Sequence, residues 1–597
     1  MRSIRPQSFT SSSVWPIERG SNMWVLKLGL AVSVAVLIAT TGVAQPPRQP
    51  RRRTSEASSN TQSNEQKSST TGGTHSAVDK VVDQIIQREQ NEVAAFGLYR
   101  PIVETYIQQL KPDKEMGFAA DHDAYFIGQA DLGRGVAVRS MLPQGAGPLG
   151  LFSSWSNSPW NPAGFLEMIY IDRDHFDRDH YDFNYAGRDF LGEVRCLMFD
   201  VTPTRKSGKG RFEGRIWVED RDYTVVRFSG TYKHERLMAH FDSWRLNVQP
   251  DLWLPAYVFV EELKPKAMEL PRFKAQTHFW AYSPAAEAHE DEFTDLSIES
   301  EKQVQDDSAR EQDRSPVEEE REFEHEGEDN AIDTLVRAGL IAPEGNVDKV
   351  LDVVLNNLEV TNHLNIDPEP RCRVMLTSNI ELFSVGHTIV LSRGLLDVLP
   401  DEPTLAVMLA QELSDVMASK GYVNQYGFSD VLQTPSTQAL KAFSFKDSPE
   451  DWEATSAKAL EIIGNSPYRS KLGTAALFLQ QLSVESKLLP HLIGPHLGNQ
   501  VYPIAALMNA GPRLEPSKTD QIAALPMGSR VKLNPWDDSI EMMKAAPVAL
   551  LSAREKMPFE VTAFMPYLTR YSDTKAAHDS TPAGEHSEAG SQSPPSN

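Results

Sequence analysis

One stretch of the chain concentrates residues able to do chemistry. Gln411, Glu412 and Asp415 fall within Leu405–Lys420, LAVMLAQELSDVMASK. Leu405, Met408, Leu409, Leu413, Val416 and Met417 recur at helical spacing, which predicts an amphipathic helix. On that helix Gln411 and Asp415 stand one turn apart. Glu412 lies beside them, a carboxylate of the kind that acts as a general base. A second group, Asp172-Arg-Asp-His-Phe-Asp-Arg-Asp-His180, has the carboxylate density that a hard cation favours. It lacks the glycine and distal glutamate of an EF-hand loop, and Arg173 and Arg178 offset its charge, so it reads as a solvated charged loop.

The elements that position Glu412 come from the second half of the chain, about Ile332–Tyr571. Val347–Leu364 predicts a helix and Arg373–Thr377 a short strand. Asn379–Leu396, NIELFSVGHTIVLSRGLL, then leads through Asp401-Glu402 into the central helix. Ile504–Met508 and Ile540–Leu551 have the apolar character of further helices, with a small strand or loop in Ile522–Trp536.

In order and separation these two motifs resemble the HtpX-like (Ste24-type) gluzincin zinc metallopeptidases. There the strand motif N-A-F-A-L-P-G-G-x-I-x-V-x-x-G-L-L precedes a helix bearing H-E-x-x-H. Gly386, Ile389, Gly394, Leu395 and Leu396 fall in register. Leu391 replaces the family's valine, Val385 its proline and His387 its second glycine, and Asn379 aligns with one residue inserted after it. The resemblance covers Val374–Lys420. It implies that Gln411 and Asp415 occupy the places of the two zinc-binding histidines and Glu412 that of the base. Asp451-Trp-Glu-Ala-Thr455 stands against the family's E-x-x-A-D, which puts Asp451 in the place of the third ligand. The resemblance also implies a substrate groove at Asn379, Gly386, His387, Ile389 and Val390, with Ile389–Leu391 as an edge strand open to β-addition.

The replaced ligands change the expected chemistry. Catalytic zinc takes imidazoles and a carboxylate and keeps one open position for water. An amide oxygen is a poor zinc ligand, and three oxygen donors suit magnesium or calcium, which acidify water far less. The expectation is a catalytically inactive pseudopeptidase without metal or cofactor, acting in binding or scaffolding on a peptide or envelope protein. The alternative is an active metalloendopeptidase that hydrolyses envelope proteins with zinc in a non-standard ligand set. His363, His387, His491 and His496 are the histidines that could stand in for lost ligands.

Tyr125–Tyr282 has a different character. Val194–Val201, Arg211–Val218, Tyr223–Tyr232, Ala239–Val248, Leu254–Leu263 and Phe273–Tyr282 are β-branched, aromatic and alternating, with turn signals between them. They predict an antiparallel meander. Arg188–Leu263 resembles the curved sheets of LolA-like lipoprotein carriers, which implies a further alternative, a lipid or lipoprotein carrier. Trp217, Phe228, Trp244, Trp253 and Phe259 would then line an apolar groove or fill the sheet core. Upstream, Ala77–Leu110 predicts two helices broken at Pro101.

The remaining segments set compartment and boundaries. Leu28–Ala39 is apolar, follows basic residues and precedes small residues at Gly42 and Ala44, so residues 1–44 read as a signal peptide and the mature protein as periplasmic or secreted, with no transmembrane span. Residues 45–76 and 573–597 are polar and predict disorder. Residues 283–330 read as an acidic disordered linker, with thirteen Asp or Glu against four Lys or Arg in Glu301–Asn330. Such a run predicts two halves that move independently. The net charge of −23 over 597 residues excludes a nucleic-acid partner of the usual basic kind. Cys196 and Cys372 fall in different segments and predict unpaired thiols. The expected fold is multidomain α+β. A curved antiparallel sheet domain (77–282) precedes a mainly helical metallopeptidase-like domain with a small edge sheet (331–572).

Overall fold

The computed structural model describes residues 71–113, 117–133, 136–143, 162–232, 239–262, 272–284, 316–418, 434–501, 527–528, 530–543 and 559–571. All of them belong to one compact unit, Ser69–Asn597. The expected signal peptide, residues 45–70 of the linker, the helix at Ile504–Met508 and the 573–597 tail lie outside the described residues; residues 71–76 of the linker are helical, and the helix expected at Ile540–Leu551 begins instead as a strand, Ile540–Met542. Among the described residues no helix is long and apolar enough to cross a membrane.

Helix α1 (Thr71–Phe96) leads into three strands, β1 (Tyr99–Asp113), β2 (Gly117–Asp131) and β3 (Ala137–Ser140). A short helix, α2 (Pro162–Leu166), precedes β4 (Tyr181–Leu191), β5 (Val194–Pro203), β6 (Phe212–Glu219), β7 (Val225–Tyr232), β8 (Ala239–Gln249), β9 (Leu252–Glu262) and β10 (Arg272–Pro284). These form one ten-stranded antiparallel sheet, ordered β3-β2-β1-β10-β9-β8-β7-β6-β5-β4. Register shifts at Arg100/Ile102, Gln109/Leu110, Tyr185/Gly187, Trp217/Val218 and Trp244/Arg245 mark bulges that bend its strands. Gly214 and Gly230 face each other across β6 and β7 because Phe212 lies over the pair, and a Cβ on either would meet its ring.

One expectation is corrected here. Tyr99–Leu110 is a strand and not a second helix. Ile102, Val103, Tyr106 and Ile107 satisfy helical spacing, but they also divide cleanly between two sheet faces. Ile102 and Tyr106 join one core, and Val103 and Ile107 the other. Pro101 sits at the bulge, where a missing N–H is tolerated.

Both faces of the sheet are covered, which explains the near-continuous apolar runs. On one face, α1 and residues 165–181 pack over Phe199, Phe212, Phe228, Phe241 and Val258. Arg245 ties this layer down. It is fully buried, bonds both oxygens of Glu89 at 2.7 Å and donates to the carbonyls of Val225 and Ile169. The Asp172–His180 loop lies here too, and two of its four carboxylates are spent on local turns. Asp172 accepts from the His175 amide and the Tyr181 hydroxyl, and Asp177 from the Asp179 and His180 amides.

The helical half covers the other face. It comprises α3 (Pro316–Arg337), α4 (Asn346–Asn362), β11 (Arg371–Met375), β12 (Leu382–Val385), β13 (Thr388–Ser392), α5 (Arg393–Val398) and α6 (Glu402–Met417). Then follow α7 (Ala439–Ala442), α8 (Pro449–Gly464), α9 (Leu472–Glu485), α10 (Pro490–Ile493) and the hairpin β14 (Val531–Leu533) and β15 (Ile540–Met542). Trp244, Trp253, Tyr257 and Trp280 from the sheet share one buried core with Leu340, Leu382, Leu395, Leu409 and Phe478. Phe559–Tyr571 then runs back across the sheet. The Val561 amide donates to Gln108 on β1, and the Tyr571 amide to Asn247 on β8.

This arrangement corrects two expectations about the acidic segment. Residues 316–330 are helical, because Ala331, Ile332 and Leu335 at the end of α3 are anchored in the core and Pro316 and three early glutamates suit a helix N-terminus. The halves are also not independent bodies. Glu104 on β1 accepts bonds from the Ser378 amide and hydroxyl, from Tyr125 at 2.7 Å and from Arg393 at 2.9 Å, all buried. Cys196 and Cys372 are buried free thiols, as expected.

Candidate functional site

Helix α6 begins at Asp401, whose side chain accepts from the Thr404 amide at 3.0 Å and caps the first turn. It is buried nearly all round, from Pro403 to Asp415, against α8, α4, α9 and β12. Gln411, Glu412 and Asp415 are 0%, 1% and 3% exposed. The Gln411 amide nitrogen donates to Thr455 Oγ1 at 3.0 Å and, more weakly, to Asp415 Oδ2 at 3.4 Å. Its carbonyl oxygen accepts from Ser456 Oγ at 3.0 Å. The amide is therefore engaged at both ends by the neighbouring helix.

Asp451 does not join this group. It lies exposed in the first turn of α8, where its amide donates to Ser448 Oγ and its carboxylate accepts from the same hydroxyl at 2.7 Å. The side chain facing Gln411 comes from Thr455, one turn further on, with Ser456 beside it. Thr455 stands against the family's closing aspartate. Ser456 carried no signal, since a hydroxyl next to an unaligned position matches no metal motif. These residues do not fit a zinc centre of the gluzincin type: the would-be first ligand is a saturated amide and the would-be third is on the surface.

The expected edge strand is also corrected. Ile389 and Val390, with Leu391, belong to β13, the centre of a three-stranded sheet ordered β11-β13-β12. They pair in parallel with Cys372–Val374 and antiparallel with Leu382–Ser384, and each is fully buried. Arg371–Met375 supplies the partner that the motif alone could not reveal. The strand has no free edge for a substrate backbone. Asn379, also buried, donates to Glu381 at 2.7 Å. Gly386 forms the left-handed turn between β12 and β13 (φ +55°), and His387 follows it.

The remaining histidines are dispersed. His363 caps the C-terminus of α4 in a left-handed conformation. His491 bonds Asp123 on β2 at 2.8 Å, and this bond pushes its imidazole upward from the ordinary value. His496 packs against Tyr125, while its amide donates to Glu381 at 2.5 Å. Glu381 also accepts from the amides of Leu497 and Gly498. These carboxylates serve as anchors at the junction between sheet and helical half.

The five aromatic residues expected in a groove or core are core. Trp217, Trp244, Trp253 and Phe259 lie in the core shared with the helical half, and Phe228 lies under α1. Arg227 stacks between Trp217 and Trp244, 4.2 and 4.4 Å from the ring centroids, and pairs with Asp242. Large apolar side chains do reach solvent elsewhere. Tyr185 and Phe190 stand exposed on edge strand β4, and Met565 and Tyr567 on the returning C-terminal segment. Leu568 of that segment accepts from the Glu193 amide in the β4–β5 turn, which holds the segment to the sheet at that turn.

No family model matches the chain, and no curated protein does. The resemblance to HtpX-like metallopeptidases therefore rests on the residues of Val374–Lys420 alone. Among solved structures the chain is similar to a DUF1329 family protein from Desulfovibrio piger, with 12% identity, a TM-score of 0.21, and coverage of 35% of this chain and 93% of the other. It is similar to a putative outer membrane lipoprotein-sorting protein domain from Vibrio parahaemolyticus, with 12% identity, a TM-score of 0.19 and the same coverage. A LolA superfamily protein from Nitrosomonas europaea shows 13% identity and a TM-score of 0.21, covering 34% of this chain and 93% of the other.

Proposed function

We propose that this protein is a non-catalytic binding protein of the cell envelope, in which a metallopeptidase-like helical half backs a LolA-like sheet. The observation that carries this reading is the state of Gln411. Its amide is fully buried and bonded to Thr455 and Ser456, while Asp451 points to solvent. A hydrolytic centre needs ligands converging on an open, hydrated position. Here Gln411 instead forms a polar clasp between α6 and α8 with Thr455 and Ser456. An active metalloendopeptidase would require this clasp to open and Asp451 to move inward by a helical turn.

The partner class that suits the surface is a lipid-bearing envelope protein. Tyr185 and Phe190 supply exposed apolar groups on one face of the sheet's β4 edge, and exposed apolar groups of this kind mark interaction sites. Among the described residues β4 is also an end strand of the sheet, where a partner strand could add. Native mass spectrometry of protein extracted from its envelope fraction tests this. Lipid or lipopeptide adducts should accompany the protein and diminish in Tyr185→Ser/Phe190→Ser. A bare mass, together with no binding to a triacylated lipopeptide, would reject the partner class.

A further inference from the structure

We infer that His325, Glu328 and His387 form a binding site for one divalent transition-metal ion, zinc or a close relative. His325 and Glu328 lie one turn apart on α3, and His387 lies at the tip of the β12–β13 hairpin. One donor atom from each falls within 4.8 Å of the other two. Two imidazoles and a carboxylate are the donor set that zinc and other first-row divalent ions take, with further positions left for water.

Three observations favour a built site over a chance cluster. His325 Nδ1 lies 3.3 Å from Glu328 Oε2, so the helix already aligns its two donors. The turn is shaped around the carboxylate: a Cβ at Gly386 would overlap Glu328, so the left-handed glycine admits it. His387 is nine-tenths buried, and its Nδ1 has no hydrogen-bond partner among the described residues. A buried imidazole nitrogen left without a partner is costly, and a metal ion held by Nδ1 would supply that partner. Asp329 adds an outer carboxylate 3.9 Å from His387 Nε2, itself held by Arg371 at 2.6 Å.

Donor atoms around a tetrahedral zinc ion stand about 3.3–3.6 Å apart, given bond lengths of about 2.0–2.2 Å. The observed separations need only a modest contraction, which His325 can supply because its side chain is 38% exposed. Bound metal would fasten the acidic helix α3 to the hairpin. The site is built from residues outside the Gln411–Asp451 group and stands independently of the reading proposed above.

The test is cobalt and zinc titration of the full, untagged chain after EDTA treatment and buffer exchange. Cobalt should give one equivalent of a visible d–d band, and zinc should displace it and raise the melting temperature. His325→Ala should weaken binding at least tenfold. This variant changes a part-exposed side chain, so its fold, checked by circular dichroism, should be retained. His387→Ala and Glu328→Gln should do the same, while Gln411→Ala should leave affinity unchanged. Absence of binding at 1 mM cobalt, or binding that survives His325→Ala in folded protein, would overturn the site.

Discussion

Replacing Glu104 with glutamine tests whether the sheet and the helical half form one cooperative body. Glu104 and Arg393 have side chains 1% and 2% exposed, in contact at 2.9 Å. Glutamine keeps the volume and one acceptor, but its NH2 group must face a donor, since Ser378, Tyr125 and Arg393 all donate to the carboxylate. Arg393 would keep bonds to the Leu376 carbonyl and Ser378 hydroxyl and would still feel Asp397. Breaking a buried pair by removing one partner costs about 3–5 kcal/mol. The retained contacts place Glu104→Gln at the lower end, about 3 kcal/mol. Guanidinium unfolding should be followed by tryptophan fluorescence, which reports on Trp244, Trp253 and Trp280 in the sheet, and by far-ultraviolet circular dichroism. Both transitions should move together to lower denaturant. A loss under about 1 kcal/mol, or a shift in the helical signal with fluorescence unmoved, would refute the shared core.

Further outcomes follow from the same contacts. Arg245→Met should leave Glu89 buried and unpaired, cost about 3 kcal/mol, and speed amide exchange in α1 more than in β1. Burial is the first cause that pushes Glu92 from 4.5 up to about 7 and Asp538 from 3.8 up to about 7. For each, the native state binds the proton more tightly than the unfolded chain, so the stabilisation is complete below about pH 4 and is lost as pH rises through 7. The Glu92 difference corresponds to about 3 kcal/mol. The melting temperature should therefore fall between pH 5 and 8 and fall less in Glu92→Gln; a rise across that window would contradict it. Removal of residues 559–597 strips Phe559, Val561 and Leu568 from the shared core, so the melting temperature should drop by several degrees, and an unchanged value would show that the returning segment is dispensable.

The sheet was legible because alternation and turns are local signals. Six strands from Val194 to Tyr282 stand within a few residues of their expected bounds. Tyr99–Leu110 was not, because residues at 102, 103, 106 and 107 satisfy a helix and a doubly buried strand equally well, and only pairing with β2 and β10 decides between them. The acidic run misled for a related reason. Its charge gives no sign of Ala331, Ile332 and Leu335 at its end, which hold the helix to the core. At the candidate site, the helix and the buried Gln411–Glu412–Asp415 group were readable from spacing. What Gln411 touches was not, because a shift of one turn along α8 exchanges Asp451 for Thr455 and a ligand for a clasp. His325 lay hidden inside a stretch whose composition suggested only a linker.

The most direct test of a binding role without hydrolysis uses unfolded casein, added zinc and the pair of natural protein and Glu412→Gln. With the Gln411 clasp closed, both proteins should leave casein intact over many hours and should be equally stable to within about 1 kcal/mol. Cleavage by the natural protein that Glu412→Gln abolishes would contradict the account.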